Sequence, residues 1–68
     1  MNEDALNMSV RKFLKQVGIT AQREIETAVR EAISNGSLSG KETLPARATI
    51  TLGRTSLNVV VEGEIKLE

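Results

Sequence analysis

A chain of 68 residues that has neither cysteine nor histidine has no disulfide and no thiolate- or imidazole-bound metal to hold it together. That lack constrains the fold more than any motif in the sequence. A domain this short recovers only about 60% of its unfolded surface on folding, and below roughly 70 to 80 residues most domains add a staple of some kind. Phe13 is the only aromatic, so the interior must be assembled from Leu, Ile, Val and Ala, which bury less area each than rings do. The staple that remains is association with another chain. A homodimer is expected, with an unidentified protein partner as the other way to supply the missing surface.

Charge narrows the choice of partner. Residues 1–36 carry five basic and five acidic side chains and residues 37–68 carry four of each, giving net zero overall. Chains that ride on a phosphate backbone normally show a basic excess, so nucleic acid is disfavoured. The opening Met1-Asn2-Glu3-Asp4 is acidic where an export leader would be basic, and the longest strongly apolar run is Val59-Val60-Val61. No membrane span and a cytoplasmic location are expected.

From residue 3 to residue 17, Leu6, Val10, Phe13, Leu14 and Val17 recur at helical spacing, which makes one apolar stripe. Asn2 suits the N-cap, Glu3 and Asp4 the positive end of the dipole, and Gly18 a left-handed C-terminal position. Thr20 then suits the cap of a second helix over residues 21–34, with Ile25, Ala28, Val29, Ala32 and Ile33 inward, ending at Asn35-Gly36. Only Gly18-Ile19-Thr20 separates the two, so they are expected to turn back on each other as a helical hairpin.

Residues 37–46 show no period, and Pro45 pushes Leu44 toward extended geometry; a loop is expected there. Ala48, Ile50 and Leu52 alternate with Thr49 and Thr51, the period of a half-buried strand over residues 47–52. Gly53-Arg54-Thr55-Ser56 reads as a turn. Over residues 57–67, Leu57, Val59, Val61, Gly63, Ile65 and Leu67 share one face, opposite Asn58, Val60, Glu62, Glu64, Lys66 and Glu68. The fold expected is therefore one α+β domain over residues 1–68, ααββ in order, whose core contains Leu6, Val10, Phe13, Leu14, Ile25, Val29, Ile33, Ile50, Leu52, Val59 and Val61. The last strand is longer than the first by about five residues, which would leave Ile65 and Leu67 on an open edge. A second subunit pairing there would complete the sheet, with Gly63 supplying a bend or bulge. Val60, Gly63, Ile65, Leu67 and the outward-facing Met8 are the candidate dimer interface.

Chemistry is sparse. Without His, Cys or Tyr the usual bases and activated nucleophiles are missing, so no enzyme activity, catalytic residue, cofactor or metal is expected. Ser9 and Lys12 match an S-x-x-K spacing but lack its partner motifs. Gly36-Ser37-Leu38-Ser39-Gly40-Lys41 is one residue short of a phosphate-binding loop, lacks the Ser or Thr after the Lys, and follows a helix where that motif follows a strand. Glu62, Glu64 and Glu68 share a strand face that reads as solvated, since calcium needs about six or more oxygens arranged by a loop. The alternative with most content is a winged helix-turn-helix regulator, with Arg11, Lys12, Lys15, Arg23 and Arg30 as its basic surface. Glu24, Glu26 and Glu31 on the would-be recognition helix oppose it, and Glu24 and Thr27 fall where that motif needs buried aliphatics.

Asn2-Glu3-Asp4, Asn7-Met8-Ser9, Arg11-Lys12-Phe13-Leu14, Val17-Gly18, Gln22-Arg23-Glu24-Ile25-Glu26, Leu44-Pro45-Ala46 and Gly63-Glu64-Ile65 together resemble a family of short bacterial proteins of unknown function, domain-of-unknown-function family 6494. The resemblance covers nearly the whole chain. It implies a bacterial, cytoplasmic and complete protein and brings no activity, ligand or site residue with it. Leu67-Glu68 reads equally as a native end or as a cloning remnant.

Overall fold

One uninterrupted helix, α1, runs Glu3–Ser34 in the computed structural model, which describes all residues from Met1 to Glu68. Its ends are built as the sequence suggests. The Asn2 side chain, on extended backbone, accepts the Ala5 N–H at 3.0 Å, and Glu3 and Asp4 occupy the first turn, where the dipole favours them. At the other end Gly36 takes φ +85° and donates to the Ile33 carbonyl at 3.2 Å, a left-handed stop. The Asn35 Oδ1 then accepts the Ser37 N–H at 2.9 Å.

The expected helical hairpin is therefore corrected to a single helix. Gly18 is not among the residues of positive φ, and Gly18-Ile19-Thr20 are helical. The physical reason lies in phase. A glycine inside a helix costs about 1 kcal/mol against alanine, which biases the chain without stopping it, and no proline intervenes. Val17, Ala21 and Ile25 step by four across the supposed break, so one helix keeps both stripes on one face and loses no backbone hydrogen bonds.

Residues 38–68 form an antiparallel hairpin of β1, Thr43–Thr51, and β2, Asn58–Lys66. Here the expected loop over 37–46 is too long, since residues 43–46 belong to β1. The register shows why Pro45 is tolerated. The Leu67 N–H donates to the Glu42 carbonyl at 3.0 Å, and hydrogen-bonded pairs alternate along an antiparallel ladder. Pro45, opposite Glu64, therefore falls at a non-hydrogen-bonded position where its missing N–H would face outward. With β1 extended, Leu44 pairs with Ile65 and Ala46 with Gly63. Ile65 and Leu67 are half-buried, and no overlong, unpaired arm exists. Nor is there a bulge at Gly63, because the register runs through it without interruption.

The turn joining the strands holds one strained residue. Thr55 donates to the Leu52 carbonyl through its N–H at 3.3 Å and its hydroxyl at 2.7 Å, while Arg54 sits at φ +65°. Left-handed geometry costs a non-glycine residue about 1–2 kcal/mol. Gly53 comes one position too early to take that strain. Arg54→Gly should stabilise the hairpin by about 0.5–1 kcal/mol, the relief less the added chain entropy of glycine, read as a rise in denaturation midpoint.

The chain divides into two units, Met1–Ser37 and Leu38–Glu68, and in neither is any residue buried. Of the expected core residues, Val29 and Ile50 are half-buried, and the rest are exposed.

Candidate interaction surfaces

Each unit presents one apolar face. On α1 the stripe runs through Leu6, Val10, Phe13, Leu14, Val17, Ala21, Ile25, Ala28 and Ala32, with Val17, Ala21 and Ala32 half-buried. Phe13 remains 51% exposed and Leu6 46%, which for the large side chains of an amphipathic face is an unmet demand for cover. In the hairpin the register stacks Leu44 against Ile65, Ala48 against Val61 and Ile50 against Val59, all on one side of the sheet. Between them Ala46 stands opposite Gly63, and nothing lies within 4 Å of where a Gly63 side chain would begin.

The opposite face of the hairpin is polar. Arg47 stands across from Glu62, Nη2 to Oε1 at 3.2 Å and Nε to the same oxygen at 3.3 Å. The pair is well exposed and contributes no more than about 1 kcal/mol. Val60 lies on this side, opposite Thr49.

The proposed interface residues are thus split among surfaces. Gly63 and Ile65 lie on the hairpin's apolar face, Leu67 follows directly after β2, Val60 is on the polar face, and Met8 is on α1, 70% exposed and on the far side from the stripe. Arg11, Lys12, Lys15, Arg23 and Arg30 all sit on one continuous helix, so no helix-turn-helix arranges them. Lys12, Arg23 and Arg30 fall along one side, three and then two turns apart. Glu26 interrupts that side, held by Gln22 at 3.1 Å and Arg30 at 3.6 Å.

The segment that partly matched a phosphate loop does hold an anion, and the anion is its own. The Glu42 carboxylate accepts the N–H groups of Ser39 at 2.8 Å, Gly40 at 3.0 Å and Lys41 at 3.1 Å, and the Ser39 hydroxyl at 3.2 Å. Gly40 takes φ +97°, which turns successive amides toward one point. The Ser39 amide above all, then those of Glu42, Gly40 and Lys41, hold the Glu42 carboxyl at about 2 against an ordinary 4.5. Sequence inspection missed this residue; Ser39 and Gly40 just before an acidic side chain were the available signal. Because the folded pKa is depressed, the stabilisation is complete above about 4.5 and lost as pH falls toward about 2. Glu42→Gln should therefore unfold with a flatter pH dependence across that window than the wild type, as measured by denaturant titration at several pH values.

No three carboxylates come together in a way that could hold a metal ion, and no helix is long and apolar enough to cross a membrane. Ser9 and Lys12 lie one turn apart on the open surface of α1. Neither a curated protein nor a solved structure matches the chain. A family model does, over residues 1–68, and its description is a family of unknown function, DUF6494; the sequence resemblance is thereby confirmed, and the chain belongs to that family along its whole length.

Proposed function

We propose that the protein is a non-enzymatic interaction or structural module that works as a homodimer. One observation carries the reading: two amphipathic units with well-formed polar faces contain no buried residue at all. A 32-residue helix draws its stability in a protein from packing of its apolar face more than from propensity. A two-stranded hairpin is likewise marginal until that face is covered. Identical chains always bring complementary amounts of apolar face, and closed two-fold assemblies are the commonest oligomers. The reading assigns no catalysis, because the chain lacks histidine, cysteine and tyrosine. A bacterial, cytoplasmic setting is part of the proposal.

Binding that completes the fold makes stability depend on concentration. Each tenfold dilution should lower the stability of the dimer by about 1.4 kcal/mol, seen as a fall of several degrees in the thermal midpoint. A midpoint independent of concentration would reject the homodimer. Retention on mixed DNA or RNA at about 50 mM salt, lost steeply as salt rises, would favour the nucleic-acid alternative instead. That alternative no longer has the helical turn that motivated it.

A further inference from the structure

Asn35-Gly36 is the one Asn-Gly step in the chain, and it lies where α1 stops. In such a step the side-chain amide is open to attack by the backbone, because glycine has no Cβ to shield its nitrogen. The stop itself calls for glycine, since residue 36 sits at φ +85°, where a Cβ is strained. The residue that makes the cap therefore also leaves the nitrogen bare. We propose that Asn35 is a site of spontaneous deamidation gated by the C-terminal cap of α1, protected while the last turn is closed and reactive when it opens.

The chemistry needs only water. The Gly36 nitrogen gives up its proton and attacks Cγ of Asn35. The Cγ–Nδ2 bond then breaks, and the amide nitrogen takes up a proton through solvent and leaves as ammonia. A five-membered succinimide remains. Water opens that ring at Cγ to give isoaspartate's isomer, aspartate, or at the Asn35 carbonyl carbon to give isoaspartate itself, whose backbone runs through the former side chain.

The closed cap opposes each part of this. Ring closure requires the Gly36 nitrogen to eclipse Cβ about the Asn35 Cα–C bond. At ψ 2° it eclipses the Asn35 nitrogen instead, so Cβ and Cγ are swung aside. The proton that must leave is donated to the Ile33 carbonyl at 3.2 Å. Asn35 Oδ1 accepts the Ser37 N–H at 2.9 Å, which holds the amide away from the Gly36 nitrogen. Turning ψ to the attacking geometry carries residues 36 and 37 around and breaks both bonds together. Asn35, Gly36 and Ser37 are all exposed, so solvent reaches the site as soon as the turn frays, and helix ends open at far lower free energy than helix middles.

Neither product restores the cap. The last turn of α1 contains no basic residue, so a carboxylate at position 35 meets the negative end of the dipole without an offsetting charge. It also stands four residues after Glu31, a spacing at which like charges repel. Isoaspartate adds a methylene to the backbone and displaces the cap donors. Each product loosens the turn whose opening admitted the reaction, which makes the end of α1 a one-way marker of chain age.

The full chain, kept at mildly alkaline pH both native and in denaturing urea, tests this by peptide mapping for aspartate and isoaspartate over time. Product should accumulate at Asn35 ahead of Asn2, Asn7 and Asn58, and about tenfold or more faster in urea than in the native protein. Ala32→Gly weakens the last turn and should raise the native rate about fivefold while leaving the rate in urea unchanged. Asn35→Asp, which reproduces one product, should lower the thermal midpoint. No product at Asn35 in urea would overturn the site. Equal rates in native and unfolded chains, or an Ala32→Gly rate equal to that of the wild type, would overturn the gate, and an Asn35→Asp midpoint at or above wild type would overturn the loosening by that product.

Discussion

Ile25→Asp, and independently Val10→Asp, should convert the protein to a monomer that unfolds without a cooperative transition. Both residues lie on the stripe of α1, 40% and 45% exposed in the single chain, and the account buries them against a second copy. An unpaired carboxylate under such cover costs about 3 kcal/mol or more. Two-fold symmetry places it in the dimer twice, so the dissociation constant should rise by about four orders of magnitude. Met8→Asp, on the far side of the helix at 70% exposure, should change stability by less than about 0.5 kcal/mol. Sedimentation of the three variants beside circular dichroism distinguishes these outcomes. Ile25→Asp and Val10→Asp behaving like Met8→Asp would mean that the stripe is not an interface.

Gly18→Ala should stabilise the protein by about 1 kcal/mol, and Gly18→Pro should destabilise it by about 3 kcal/mol or more. The first value follows because Gly18 is helical, has nothing within 4 Å of its would-be Cβ and lies amid 32 consecutive helical residues. The second follows because proline removes a backbone hydrogen bond in mid-helix and collides with the preceding turn. The pair discriminates sharply between folds. In a helical hairpin Gly18 would occupy a left-handed cap, where alanine is strained and destabilises the chain. Chemical denaturation of wild type and Gly18→Ala, read by the sign of the difference, decides between one helix and two.

Much of the architecture was legible in residue order, and the failures share one cause. Asn2 as N-cap, the stop at Asn35-Gly36, the turn at Gly53-Arg54 and the two faces of β2 each rest on a single local preference with nothing opposing it. Gly18 and Pro45 were misjudged because each is a weak local breaker set against a longer-range pattern. At Gly18 the pattern is the stripe from Val17 through Ala21 to Ile25. At Pro45 it is the pairing of Leu44 with Ile65, which no local window contains. The second misjudgement carried over to the interface: with residues 43–46 counted as loop, Ile65 and Leu67 appeared to lack a partner. With both in the ladder, self-association rests on the apolar face of each unit and no longer on an open strand edge. Glu42 was illegible for a different reason, since its role depends on Gly40 adopting φ +97°, a conformation that sequence permits without requiring.

Self-association through exposed apolar faces is what the homodimer reading requires. Sedimentation equilibrium of the wild-type protein from about 1 to 100 μM, a range that brackets a modest interface, tests it most directly. The account predicts a mass of twice 7.4 kDa at the upper end, with dissociation on dilution accompanied by loss of helical signal. A single-chain mass throughout, with the helix intact and unfolding cooperatively, would contradict it.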